Sequence, residues 1–495
     1  MPPRFHNTLA GKVEPFQPLD DNQVRMYACG PTVYDYGHIG NFRTFVVVDT
    51  MRRFLRQSGY QVRDVINITD VDDKIIQRAA AAGKEICDYT RKFEQAFLDD
   101  SAFLNIEPPG TIVRATQHID DMARFIAALV EKGHAYRTED GSYYFRVASF
   151  PGYGKLSKKD FAGMEDGARV DVDEYDKETA RDFALWKAPK PGEAYWDTCI
   201  GRGRPGWHIE CSTMAMKYLG ETFDMHLGGE DLIFPHHENE IAQSEALTGK
   251  PFARFWIHSS FLLVEGEKMS KSLGNFYTVR DLILKGHKPS AIRYQLASAS
   301  YRQQLNFTLD GLKGAAQSVE RLRNFKLRLE SGTFPAGDAT FAPELAERTV
   351  KRMMESLADD LNANGALAAI FDLVREVNTA ADSGALTQAD VPSLLKALET
   401  FDALFPVIKD DDSEKIQRVV EWAKAENRTQ DISPETLEMS RAATMPDHKV
   451  EALIAERQAA RKSKDFARSD QIRDELAAAG ILVEDSKDGV RWRRK

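Results

Sequence analysis

The stretch Cys29-Gly-Pro-Thr-Val-Tyr-Asp-Tyr-Gly37-His38-Ile39-Gly40-Asn41 limits the folds open to this chain more than any other. It follows the alternating run Val24-Arg-Met-Tyr-Ala28, which reads as a half-buried strand. It precedes a helical pattern with Phe42, Phe45, Val46 and Leu55 near one face and a stop at Ser58-Gly59. Tyr60–Val65 then reads as a second strand. Strand, glycine-bearing loop, helix and strand make a βαβ unit, and open sheets built of such units bind ligands at the carboxyl edge. The loop suits a nucleotide. Gly37 and Gly40 admit close backbone approach, the helix N-terminus favours phosphate, and His38 can donate to a phosphoryl oxygen whose charge grows. Read alone, the same residues also describe a tight βα turn with a solvated histidine.

A second signal lies far downstream, in Glu267-Lys268-Met269-Ser270-Lys271-Ser272-Leu273-Gly274-Asn275. Its lysines and serines offer mobile cations and hydroxyls to a triphosphate. An apolar run, Phe261–Val264, leads into it, and a capping-box pattern, Thr278-Val-Arg-Asp281, opens the next helix. A lone Lys/Ser loop is an ordinary surface turn; its pairing with the His38 loop gives it meaning.

The chain has 495 residues, a length that suggests about three domains. The N-terminal residues lack the apolar core of a signal peptide, and no run approaches the roughly 18 apolar residues of a membrane span. Four cysteines in so long a chain point to the reducing cytosol. A net charge of −10 argues against nonspecific coating of nucleic acid and leaves room for a local basic surface. Between the two signals, Asn67-Ile-Thr69-Asp70 reads as a strand end, with Thr69 or Asp70 capping the next helix. An insertion spans about 110–205; short aromatic strands such as Tyr143-Tyr-Phe145 mark it from Ala135 to Pro205, and Asp171–Asp182 is an acidic loop. The region 301–330 reads as a connection, 331–445 as a helical bundle, and 446–495 as a compact terminal unit of helices and a hairpin.

Cys29, Cys211, His236 and Glu240 fall at strand ends or helix starts that a doubly wound sheet brings together. Thiolates, imidazole and carboxylate form a zinc ligand set. Pro235 suits a first helical position, which places His236 and Glu240 one turn apart on one face. The spacing is too wide to decide between a metal and two buried cysteines beside a helix-start histidine. In the terminal unit, basic helices and Trp492 suit stacking on an unpaired base; a solvated helix pair reads equally from the same residues.

Taken together, these motifs resemble the cysteinyl-tRNA synthetases of class I, over nearly the whole chain. The match includes Cys29–Asp35, Asn67–Asp70, Gly203-Arg-Pro-Gly-Trp207-His208-Ile-Glu-Cys211-Ser, Phe234–Glu240 and Lys268–Ser272. The first signature, His38-Ile-Gly-Asn41, has Asn where many relatives carry His. The resemblance implies an α/β fold: a doubly wound, Rossmann-like catalytic domain over 1–300 with its insertion, then the helical bundle and a C-terminal anticodon-binding unit. It implies His38, Asn41, Lys268 and Lys271 as catalytic residues, and ATP-Mg held by Gly37, His38, Gly40, Lys268, Ser270, Lys271 and Ser272. It further implies one Zn2+ on Cys29, Cys211, His236 and Glu240, an amino-acid pocket of Thr69, Trp207 and His208, and anticodon contacts from Arg461, Asp470, Asp485 and Trp492. The partners implied are L-cysteine, ATP and tRNA(Cys), for a cytoplasmic monomer without a membrane association. Two rivals remain at this stage. A ligase passing cysteine to a small amine should lack the terminal unit, and an inactive zinc-dependent RNA-binding module should have lost one signature loop.

Overall fold

Gln23–Ala28 (β1) alternates in burial at its start and is wholly buried at its carboxyl end, as expected of a parallel strand covered on both faces. In the computed structural model, which describes residues 2–159, 169–170, 182–486 and 489–494, four more strands join it. Ile39–Gln57 (α1) crosses over to Gln61–Ile68 (β2), and Thr111–Arg114 (β3) follows. After the insertion, Trp207–Leu219 (α2) leads to Phe223–Gly229 (β4), and Glu238–Thr248 (α3) leads to Ala253–Ser259 (β5). The order is β5-β4-β1-β2-β3, all parallel. The chain therefore winds outward from β1 in one direction, then restarts at β4 beside β1 and winds the other way. The crevice between the carboxyl ends of β1 and β4 is the topological switch point.

Local chemistry sets the ends of α1. His38 Nδ1 accepts from the Asn41 N–H, and Asn41 Oδ1 accepts from the His38 N–H, each at 3.1 Å, a reciprocal cap. The far end stops at Ser58 and at Gly59, whose φ of +91° suits glycine. The helix after Asp70 is capped by Asp72, which accepts from the Ile75 N–H at 2.6 Å, and not by Thr69 or Asp70. Asp70 is instead taken by Thr116, through both its N–H and its hydroxyl.

The antiparallel strands of the insertion begin at Ala135 and end at Pro205. Thr111–Arg114 pairs with β2 in the parallel sheet, so an insertion starting near 110 would cut into that sheet. The acidic loop expected from Asp171 lies outside the described residues, except for Asp182, which is buried in a strand.

Beyond the Lys/Ser loop come Val279–Leu284 (α4) and the long helix Leu309–Ser331 (α5). The helices Ala342–Ala358, Ala363–Asp382 and Val391–Leu404 share one apolar core with a face of the sheet: Leu394 and Phe401 belong to the same cluster as Met26, Met51 and Phe54. Asp412–Ala425 (α6) and Pro434–Arg441 (α7) precede the terminal unit. That unit comprises Asp447–Lys462 (α8), Phe466–Ala478 (α9) and the hairpin Ile481–Ser486 (β6) with Gly489–Arg494 (β7). It closes on a small core of Val450, Leu453, Ile454, Ile472, Leu476 and Ile481. Among the described residues no helix is long and apolar enough to cross a membrane.

One buried ionic cluster fastens α1 to the helix that follows α4. Asp49 accepts from Arg52 at 2.8 Å, Arg53 at 2.8 Å and Arg293 at 2.5 Å. Burial alone would raise its pKa, but Arg293, Arg53 and Arg52 hold it at about 2. This depressed value contributes stability above the ordinary carboxylate range, and the contribution is lost as pH falls from about 4 towards 2. Asp49→Asn should cost about 3–5 kcal/mol, because it strands buried guanidinium charge. A neutral-pH thermal melt superimposable on the wild type's would contradict this.

Candidate active site and metal centre

The two signature loops meet at the switch point. The Ile39 N–H donates to the Tyr277 carbonyl at 3.0 Å, joining the start of α1 to the segment after the Lys/Ser loop. At Gly40 a Cβ would lie 2.8 Å from Met269 Cε, the movable end of a flexible side chain, and 3.0 Å from Cε1 and Nδ1 of the capping His38 ring, so a side chain there would crowd the cap. Because His38 Nδ1 accepts the Asn41 N–H, its ring proton sits on Nε2, a donor free of the cap. Burial, reinforced by the Lys271 charge, pushes its pKa down to about 4. Asn41 thus serves the cap that fixes the tautomer. Lys271 Nζ lies 3.1 Å from Asp35 Oδ2, which Arg78 also reaches at 2.9 Å. Ser270 and Ser272 bond to each other at 2.7 Å, and Lys268 is exposed. Asp35 was not anticipated, although its place in the first loop was the available signal.

Cys29 follows β1, Cys211 lies in α2, His236 in a wide turn, and Glu240 in α3. Phe234 is the extended residue that breaks the turn, and from Pro235 the backbone keeps helical dihedrals into α3, so His236 and Glu240 stand one turn apart as expected. One donor atom from each of the four lies within 4.8 Å of the others, and all four are buried. Cys29 Sγ is 3.8 Å from Cys211 Sγ and 3.7 Å from Glu240 Oε1, and His236 Nε2 is 3.1 Å from Glu240 Oε1. Burial pushes the Cys29 thiol up. At Cys211 burial is outweighed by the Cys29 hydrogen bond and by His236, which bring it down to about 6. Glu240 and Cys211 outweigh burial at His236 and raise it to about 10. A proton on His236 is therefore held between two anions, and a cation bound by the same donors would replace it. By donor type, spacing and charge the residues fit a divalent metal.

Histidines not anticipated from the sequence surround this set. His226 Nε2 bonds Glu240 Oε2 at 2.8 Å, and His237 Nε2 lies 3.2 Å from Cys29 Sγ. His237 continues to His258 at 2.8 Å, and His258 to the Thr8 hydroxyl at 2.7 Å. Cys29, His226, His237 and Glu240 form a second group of the same compactness. The group with two sulfurs offers the softer donors, and beside it His226 and His237 become outer supports of Glu240 and Cys29. His226 and His258 lie in β4 and β5, which ordinary strand patterns conceal.

Of the proposed pocket residues, Trp207 is half-buried and stacks on His236 with ring centroids 4.2 Å apart. His208 is fully buried, its Nδ1 2.9 Å from His236 Nδ1. Thr69 is buried and donates to Glu210 at 2.7 Å. The first two bear on the metal-ligand turn; Thr69 bridges to α2.

In the terminal unit Asp485 accepts a two-pronged bond from Arg457 at 2.9 and 2.8 Å and a further bond from Arg461 at 2.6 Å. Arg457, one turn before Arg461, is one of the basic residues of this helix, and its pairing with Asp485 appears only in the fold. Asp470 is exposed. Trp492 stands opposite Val483 and packs, half-buried, on the small core. The open aromatic of this unit is Phe466, 62% exposed at the start of α9.

The sheet order and the paired loops at its switch point define a class I tRNA synthetase. The family model described as "tRNA synthetases class I (C) catalytic domain" matches residues 15–317, "DALR domain" 352–408, and "Cysteinyl-tRNA ligase anticodon binding domain" 447–493. The chain is 66% identical over 489 residues to the Cysteine--tRNA ligase of Koribacter versatilis and 54% identical over 492 residues to that of Solibacter usitatus, covering 99% of each chain in both cases. It belongs to the cysteine–tRNA ligase family. Mycobacterium tuberculosis methionyl-tRNA synthetase in complex with methionyl-adenylate shares the fold, with a TM-score of 0.59 at 16% identity over 80% of this chain and 93% of that one.

The His38 environment makes a titration prediction. With its pKa near 4, His38 should be neutral and carry its proton on Nε2 throughout pH 5–8. Nitrogen NMR of labelled histidine, with His38→Gln for assignment, should show that tautomer at pH 6. An imidazolium signal for His38 at pH 6 would contradict the capping geometry.

Proposed function

We propose that this chain charges tRNA(Cys) in two steps. First, the cysteine carboxylate attacks the α-phosphorus of ATP-Mg and pyrophosphate leaves. Then a ribose hydroxyl of the tRNA's terminal adenosine attacks the acyl carbon and AMP leaves. The observation that carries this reading is the Cys29, Cys211, His236, Glu240 donor set lying at the same switch point as both signature loops.

His38 donates from neutral Nε2 to the phosphoryl oxygen whose charge grows. Lys271 leaves Asp35 for the phosphates and Lys268 assists, so positive charge arrives where negative charge must depart. Gly37 and Gly40 admit the nucleotide, and Ser270 and Ser272 shape the Lys/Ser loop. A zinc ion held by the four donors would supply an inner-sphere bond that a thiolate makes and a neutral hydroxyl does not, which separates cysteine from serine where an apolar pocket could not. Trp207 orients His236 and edges the amino-acid pocket, with His208 and Thr69 behind it.

In the terminal unit Arg461, Asp470, Asp485 and Trp492 remain the proposed anticodon residues. Arg457 holds Asp485 in place, and Phe466 adds the exposed ring that base stacking requires. We take the working form to be a cytoplasmic monomer; four free cysteines suit a reducing compartment.

Purified protein should carry about one zinc per chain. Removing it with a chelator, or making Cys211→Ala, should abolish cysteine-dependent ATP–pyrophosphate exchange. Full exchange by metal-free protein would overturn the metal's role. A chain ending before Lys449 should keep exchange and lose tRNA charging. Phe466→Ala in the full chain should weaken tRNA binding by roughly 1–3 kcal/mol, the worth of a stacked base. Undiminished charging by the truncated chain would remove the terminal unit from tRNA recognition.

A further inference from the structure

Residues 409–446 fall outside all three matched regions, 15–317, 352–408 and 447–493. This stretch nevertheless docks on the first signature loop and on the helix that follows the second. Trp422, on α6, donates from its indole N–H to the Tyr36 hydroxyl at 3.2 Å, and the two rings meet edge-on at 5.5 Å. Tyr36 lies two residues before His38. The same indole carries two guanidinium groups, Arg280 at 4.6 Å and Arg428 at 5.3 Å from its ring centre.

Arg280 belongs to the helix that supports the other loop, and Arg428, from the same stretch as Trp422, reaches that helix. Arg280 is a buried residue of α4, the helix that follows the Lys/Ser loop, and its Nε donates to Asp100 at 2.6 Å. Arg428 donates to Asp281 Oδ1 at 2.9 Å, while Asp281 Oδ2 accepts from the Thr278 N–H at 3.0 Å and so closes the cap of α4. A little further on, the Ser433 N–H and the Thr436 hydroxyl donate to the Leu284 and Ile283 carbonyls, each at 2.8 Å, fixing α7 to the end of α4.

We propose that Trp422 is a positioning residue for adenylate formation, holding the His38 loop and the Lys/Ser loop at their working separation. One rigid side chain contacts the first loop through Tyr36 and the second through Arg280 and, by way of Arg428, Asp281. Any shift of α6 therefore moves both loops relative to each other. Burial of the Arg280 charge against the rings of Trp422, Tyr36 and Phe103 and beside Asp100 makes the join costly to break. Displacements of about 1 Å in such machinery can cost about 100-fold in rate. The inference rests on the assignment of the two loops to ATP.

The test measures ATP–pyrophosphate exchange, KM for ATP and for cysteine, zinc content and tRNA affinity in full-length Trp422→Ala, Trp422→Phe, Tyr36→Phe and the double Phe variant. Trp422→Ala should lower kcat of exchange about 10–100-fold and raise KM for ATP. KM for cysteine, zinc content and tRNA affinity should stay at wild-type values, which a general loss of packing would not allow. Each Phe variant removes one end of the same hydrogen bond, so the double variant should be no slower than the slower single one. A folded Trp422→Ala protein with wild-type exchange, or additive effects of the two Phe substitutions, would overturn the proposal. If Trp422→Ala does not fold, the cycle of Phe variants decides alone. Absence of cysteine-dependent exchange in the wild type would instead overturn the assignment of the loops, a result distinct from either.

Discussion

The reversal of strand order between β1 and β4 is the constraint on which the active site depends. Parallel strands whose crossovers depart in opposite directions leave a crevice at their carboxyl ends. Cys29 emerges from β1 into that crevice, His226 reaches Glu240 from β4, and α2 and α3 deliver Cys211 and Glu240. The His38 loop closes over the other side of β1. Placing the donors and the His38 loop around one strand end brings the proposed amino-acid and ATP sites together without any long connecting structure.

Electrostatics then divides the labour. Burial keeps His38 neutral, with its proton on the uncapped Nε2, while the neighbouring loop brings the Lys271 charge, paired with Asp35. At the metal centre the opposite holds: the Cys211 sulfur and the Glu240 carboxylate concentrate anionic character around His236, and His226 supports the carboxylate from behind. His237 and His258, depressed by burial, add polarity without charge. A cation is favoured at one end of the crevice, while at the other, in the reaction we propose, a neutral donor would face the growing negative charge of the phosphoryl group.

What was legible in the sequence was local or motif-borne. The first βαβ unit, the stop at Ser58-Gly59 and the Thr278–Asp281 cap are written in adjacent residues, and they form as read. Where two caps competed within a few residues, the reading failed: Asp72 took the helix because Thr116 had already claimed Asp70. Pro235 suggests a helix start, and helical dihedrals do run from it into α3 after the extended residue Phe234. The donor set spans from residue 29 to residue 240, and only resemblance joined it; no spacing rule could. Contacts between separate elements, including His226 to Glu240, Arg457 to Asp485 and Trp422 to Tyr36, exist only after folding. The aromatic signal in the terminal unit was real, but it divides between a ring on the core, Trp492, and a ring in solvent, Phe466. Composition cannot separate those two.

Recognition of cysteine by direct thiolate–metal bonding is the claim most open to a single measurement. Replace the metal with cobalt(II) and follow the thiolate-to-cobalt charge-transfer absorption while adding cysteine or serine without ATP. The intensity should rise by the contribution of one added thiolate with cysteine and stay flat with serine. An unchanged spectrum at cysteine concentrations that saturate binding would show that the substrate sulfur does not reach the metal, and selection would have to come from elsewhere in the pocket.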